Sequence, residues 1–313
     1  MAPMADRGRA RSRLRQAAVR ETAARQGGVV SRAQLRSMGL GPNDVRSEVA
    51  AGRWHAEGRV AVRVGAASRL GRLWRALFEA GRSARFDGVT ALQLAGLINW
   101  EARTVDLVVP HNRSYRAVEG ARVFVERDLE PAAPTRTADA PRSEPAYALV
   151  RAAMNSDSDR QAATLIAMSV QQKVVDPARL LQVWRAWRLP RRREALEPII
   201  VDVCDGAHSL GELDFARLCR ERGLPEPKRQ VIRKGRDGRV FLDVRWECGL
   251  VVEIDGVQHF QGLAPVDDAL RQNAVVLRSD AVLRIPVLGL RLYPDEFLDQ
   301  VAMGLVARGE SVA

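Results

Sequence analysis

The spacing of apolar and polar positions changes several times along the chain, and each change marks an element. Residues 18 to 27, "AVRETAARQG", read as a helix stopped at Gly27 and Gly28. In "SRAQLRSMG", Ser31 and Gln34 stand in capping-box relation, so a second helix starts there. In "LGPNDVRSEVAAG", Pro42 suits a first helical turn and Gly52 a C-terminal cap. This third helix turns Val45 and Val49 to one face and leaves Asn43, Arg46 and Ser47 outward. Two alternating runs in "RWHAEGRVAVRVG" then flank Glu57-Gly58, the pattern of a β-hairpin. Three short helices and a basic hairpin predict a winged helix-turn-helix over residues 16–65, behind a basic tail at 1–15.

Residues 66–129 mix the two periods. "ASRLGRLWRALFEAG" is amphipathic, with Leu70, Leu73, Trp74, Leu77 and Phe78 on one face. "TALQLAGL" is a shorter helix, and "TVDLVVP" and "ARVFVERD" alternate like strands. Trp74 and Trp100 read as core. Residues 130–145 are rich in Pro, Ala and Thr and predict a linker. Residues 146–207 form a helical connector of three or four helices, with starts at Asp159, Asp176-Pro177 and Pro190.

The last segment, 208–313, has the order αβββαβα. Ser209 caps the first helix, with Glu212 at the reciprocal capping-box position. "RQVIR", "RVFLDVRW" and "LVVEIDG" are strands, "PVDDALRQNAVVLRSD" a helix, "AVLRIPV" a strand and "PDEFLDQVAMGLVARG" a closing helix. Period two puts Phe241, Asp243 and Arg245 on one face, and Val251, Glu253 and Asp255 on one face of the next strand. Strands lie ~4.8 Å apart, so Asp243 and Glu253 can be cross-strand neighbours. Two carboxylates about 5 Å apart repel by roughly 3 kcal/mol at an effective dielectric near 20. A cation, a shared proton or nearby arginine must offset that. A hard divalent cation, Mg²⁺ or Mn²⁺, is the sharpest option. The alternative for Asp243 is a strand acid paired with Arg245 or Arg284.

Charge changes the picture at the N-terminus. The chain of 313 residues has a net charge of +11. Residues 1–65 hold 13 Arg against 5 acids, a net of +8. That concentration points to a nucleic-acid-binding end. Arg46 is then a candidate for reading a guanine edge. Arg53, Arg59 and Arg63 become candidates for phosphate contacts along double-stranded DNA. No apolar run approaches ~18 residues, so no membrane span is expected. Cys204, Cys219 and Cys248 form no CxxC pair and read as reduced thiols of a cytoplasmic protein.

Two stretches carry resemblances. "GGVVSRAQLRSMGLGPNDVRSEVAAGRW" resembles the N-terminal domain of AbiEi-type antitoxins, over about residues 15–65. That resemblance implies a transcriptional autoregulator, with a cognate toxin as a second partner. Residues 66–129 are similar to the region that follows in AbiEi-like proteins. "FLDVRW…LVVEIDGVQHF…DDALRQN…VLRIP" resembles the Vsr-like (very-short-patch-repair) endonuclease domains of the PD-(D/E)xK superfamily, over residues 205–308.

The second resemblance implies a restriction-endonuclease-like αβββαβ core. It gives Glu212, Asp243 and Glu253 metal-binding roles, with Asp255 beside them. It gives His259 proton transfer or a phosphate contact, and Arg271 a hold on phosphate; Asp268 also sits at a position where these domains carry polar residues. The superfamily often has Lys two residues after the third-strand acid, and here that place is Asp255. The expected class is therefore α/β, α+β overall. Two functions stay open. One is a DNA-binding protein with a metal-dependent endonuclease domain; the other is a non-enzymatic AbiEi-like repressor or antitoxin with a degenerate nuclease fold.

Overall fold

The computed structural model describes residues 4–126, 134–136, 140–188, 192–204, 215–234, 240–255, 264–276 and 282–312. Helix and strand are mixed throughout, as an α/β chain requires. Two compact units divide the chain. The first is Met1–Gln93 with Asn99–Glu144; the second is Leu94–Ile98 with Pro145–Ala313. Among the described residues no helix is long and apolar enough to cross a membrane.

The first unit opens with α1 (Met4–Arg25), so the helix begins well before residue 18 and takes in described residues expected as a tail. Then come β1 (Val29–Ser31), α2 (Arg32–Ser37), α3 (Pro42–Ala50), β2 (His55–Ala56) and β3 (Ala61–Arg63). The three strands form one antiparallel sheet in the order β1-β3-β2. The capping box of α2 is made: the Gln34 N–H donates to Ser31 Oγ at 3.1 Å, and the Ser31 N–H to Gln34 Oε1 at 2.8 Å. Pro42 opens α3, and Gly52 just beyond it has a φ of +69°. Val19, Ala23, Val30, Leu35, Leu40, Val45, Trp54 and Val62 form the core of this module.

Gly27 has a φ of +64°, and a Cβ there would lie 2.3 Å from the Gly71 nitrogen. Only glycine allows that approach, which brings the end of α1 against the start of α4 (Arg69–Ala80). Ser68 caps α4, accepting the Gly71 N–H at 2.9 Å and donating to the Gly27 carbonyl at 2.7 Å. On α4, Trp74 and Leu77 are buried, and Trp74 meets Phe86 edge-on with ring centroids 5.9 Å apart.

Beyond α4 lie β4 (Arg85–Phe86), α5 (Gly88–Leu94), β5 (Val105–Pro110), β6 (Ala121–Glu126), β7 (Pro134–Arg136) and β8 (Pro141–Ser143). Their sheet has the order β6-β5-β4-β8-β7. Part of the stretch expected as a linker thus forms two strands, paired antiparallel, with β7 at the sheet edge and β8 between it and β4. The Pro-rich composition concealed them, because proline is tolerated as the first residue of a strand, where Pro134 and Pro141 stand.

The second unit begins with four helices: α6 (Pro145–Met154), α7 (Asp159–Gln171), α8 (Pro177–Ala186) and α9 (Arg193–Cys204). Asp176 accepts the Arg179 N–H at 2.8 Å and caps α8 ahead of Pro177. Next are α10 (Phe215–Glu221), β9 (Arg229–Lys234), β10 (Val240–Arg245), β11 (Val251–Asp255), α11 (Ala264–Val276), β12 (Leu283–Pro286), α12 (Val287–Leu292) and α13 (Pro294–Val306). The short α12 was not expected from the sequence.

Strand β10 pairs antiparallel with both β9 and β11, and β12 joins β11 in parallel after the α11 crossover, giving β12-β11-β10-β9. One sheet face is apolar and buried: Leu242, Val244, Val252, Ile254, Leu283 and Ile285. Each such side chain contributes about 1.5–3 kcal/mol on burial. The connector is built into this unit rather than standing apart. Arg291 on α12 pairs with the buried Asp202 of α9 at 3.0 Å, and Arg160 on α7 with Asp267 of α11 at 2.8 Å.

Candidate functional site

The opposite face of the C-terminal sheet is charged. The strand register puts Asp243 directly across from Glu253, the neighbour relation that period two predicts. Asp255 lies two residues further along β11, opposite Phe241. Glu253 also faces Arg284 on β12. Because an alternating strand presents every second residue, the same face collects Arg233 from β9 and Arg245 from β10.

Arginines engage both acids. Arg245 donates from Nε to Asp243 Oδ1 at 3.0 Å and from Nη2 to Oδ2 at 3.1 Å. Arg233 adds a third bond to Oδ2 at 2.8 Å. The Asp243 side chain is 6% exposed, whereas those of Arg233 and Arg245 are 46% and 51% exposed. The hydrogen bond from Arg245 is the main reason the Asp243 carboxyl sits below its usual range; burial opposes it, and Arg233 adds to the lowering. Reciprocally, the bond to Asp243 raises the Arg245 guanidinium. Glu253 takes a weaker bond from Arg284 Nε at 3.3 Å. Of the partners named for Asp243 from sequence, Arg245 is present, and Arg284 goes to Glu253 instead.

Glu212 and His259 lie outside the described residues, as does the side chain of Arg271. Among the described residues, no group of three or more His, Cys, Asp or Glu is placed to hold a metal ion. Asp268 is exposed on α11. One residue that sequence reasoning missed is Asn273, buried on α11. Its Nδ2 donates to the Arg284 carbonyl at 2.8 Å and its Oδ1 accepts the Arg284 N–H at 2.9 Å. Asn273 therefore fixes the backbone from which Arg284 reaches Glu253. A buried Asn in the apolar stretch "LRQNAVV" was the available signal.

On the N-terminal module, Val45 is buried and Asn43, Arg46 and Ser47 are exposed along α3, as the helical period predicts. Arg46 hydrogen-bonds Asn43. Arg53 pairs with Glu48 at 2.6 Å, a hydrogen bond that raises its guanidinium, and Arg63 pairs with Glu57 at 2.5 Å. Arg59 is exposed at the tip of the hairpin.

That tip is held by a second missed residue, Glu79 on α4. Its carboxylate accepts the N–H groups of Arg59 (3.2 Å), Val60 (2.6 Å) and Ala61 (2.8 Å). Successive backbone N–H groups make a small anion-binding concavity, filled here by an internal acid. A Cβ on Gly58 would come within 2.6 Å of that carboxylate. Comparison of the chain with known proteins returns no matching family model and no matching curated protein.

Proposed function

We propose that the chain binds double-stranded DNA through its N-terminal module and hydrolyses DNA phosphodiesters at the charged face of its C-terminal sheet. The observation that carries this reading is the cross-strand pair Asp243 and Glu253, with Asp255 two residues on, in a sheet whose fourth strand returns in parallel after a helix. The N-terminal elements read as a winged helix-turn-helix. In it α3 is the recognition helix, presenting Asn43, Arg46 and Ser47, and the β2–β3 hairpin is the wing, carrying Arg59.

Carboxylate oxygens are the donor type that Mg²⁺ and Mn²⁺ take, so the residues fit such an ion in kind. Asp243 would exchange its arginine bonds for it, with Glu253 and Asp255 beside it and Glu212 as a further donor. The ion, when bound, supplies an activated water and offsets charge on the phosphate being cut. Arg233, Arg245 and Arg284 then face the phosphate, with Arg271 as a further hold. His259 carries the proton transfer that the usual lysine serves elsewhere. The test is a plasmid-cleavage assay in Mg²⁺ or Mn²⁺. Cleavage is expected to stop in Asp243→Asn, in Glu253→Gln and on chelation. Cleavage persisting in both variants sinks the site.

A second reading is a non-enzymatic AbiEi-like repressor or antitoxin, with a cognate toxin as partner. Two observations favour it: arginines hold both oxygens of Asp243, and Asp255 stands in the usual lysine place. It expects no cleavage with either ion, and sequence-specific binding to the chain's own promoter that is lost in Arg46→Ala. Equal affinity for unrelated duplexes counts against it.

A further inference from the structure

The arginines of the first unit are not all internally paired. A cleft of about 620 Å³ lies between α2, the end of α4 and the loop after β5. Arg36, Arg82, Arg113 and Arg116 line it, together with Phe78 and Tyr115, and among the described residues the lining holds no acid. All four arginines are exposed. Among the described residues none of the four side chains has a hydrogen bond or ion pair. By contrast, Arg46, Arg53 and Arg63 each have a side-chain partner.

The loop that brings two of these arginines is held in place. The Arg116 N–H donates to the Ala80 carbonyl at the end of α4 at 3.0 Å, and the Arg113 N–H to the Pro110 carbonyl at 3.0 Å. Four like charges around one concavity repel, and among the described residues no acid lining the cleft offsets them. Guanidinium groups present planar donor forks that match phosphate oxygens. Tyr115, 44% exposed, offers a ring on which a base can stack.

We propose that this cleft is a phosphate-binding site for a nucleotide, separate from the α3 face, with the arginines on the phosphates and, for a free nucleotide, Tyr115 against the base. The phosphates come from a DNA strand led past α2 or from a free nucleoside triphosphate. In its DNA form the proposal rests on the DNA-binding reading above.

The test compares wild type, Arg113→Ala/Arg116→Ala and Arg46→Ala, with melting curves confirming that the exposed substitutions leave the fold intact. Binding of an unrelated duplex is measured over a salt series, and binding of ATP by calorimetry. If a strand is the source, the double variant binds the duplex about tenfold more weakly and its log–log salt slope falls by about 1.8, while Arg46→Ala keeps the wild-type slope to within about 1. If a free nucleotide is the source, wild type and Arg46→Ala bind ATP and the double variant does not. The proposal is overturned if the double variant matches wild type on the duplex and wild type binds no ATP, or if wild type binds neither probe. ATP binding without duplex binding would keep the cleft and remove the DNA-binding reading. Duplex binding weakened only by Arg46→Ala, with no ATP bound, would do the reverse.

Discussion

At the residue scale, Asp243 is the charge with most at stake. It is buried, and it accepts three hydrogen bonds from two half-exposed arginines. Asn in its place keeps the shape and loses the charge-assisted bonds, so Asp243→Asn should destabilise by about 1–2 kcal/mol, discounted for the exposed partners. The pH dependence follows from the depressed carboxyl. A lowered folded-state pKa contributes stability that is present above the unfolded value of about 3.9 and is lost as pH falls through the folded value. The stability gap between wild type and Asp243→Asn, read by denaturant titration, should therefore be full at pH 7 and shrink below about pH 4. A gap that is constant with pH would mean the arginine bonds are not what lowers this group.

Glu79 is the counterpart in the first unit. Glu79→Ala removes the acceptor of three hairpin N–H groups, and Gly58→Ala pushes a methyl into the same carboxylate. Both should loosen the hairpin tip. Amide exchange at Arg59, Val60 and Ala61 should speed up while α3 stays protected. If those three amides exchange at the wild-type rate in Glu79→Ala, the carboxylate does not hold the tip.

At the element scale, most boundaries followed from local chemistry. The α2 capping box, Pro42 at the start of α3 and the Asp176 cap of α8 needed only neighbours in sequence. The misses have equally local causes. Pro-rich residues hid β7 and β8, and the early start of α1 lay in a stretch read only for charge. Crossover helix α11 is tied to β12 through the buried Asn273, whose loss removes the partner of the Arg284 N–H and carbonyl. Asn273→Ala should cost about 1–3 kcal/mol, and more than Asn273→Asp, which keeps an acceptor. Equal stability of Asn273→Ala and wild type in urea would show that water replaces the side chain.

At the scale of the whole molecule, two units each carry their own core. Scanning calorimetry should resolve two transitions, with Gly27→Ala moving one and Asp243→Asn the other. A single transition moved by both substitutions would mean the units unfold as one.

The sequence by itself determined the alternation of elements, the apolar face of the C-terminal sheet and the placing of Asp243, Glu253 and Asp255 on its other face, because helix and strand periods act over a few residues. It also determined the outward triplet Asn43, Arg46 and Ser47. Only the tertiary structure decided which charge meets which. Arg284 reaches Glu253 across 31 residues, Arg233 reaches Asp243 across 10, and Glu79 reaches the Val60 N–H across 19. Those pairings depend on strand order, parallel return and helix placement, and an arginine-rich chain offers each acid several partners of equal local merit. The same holds for the unpaired arginines of the cleft, which three separated segments bring together.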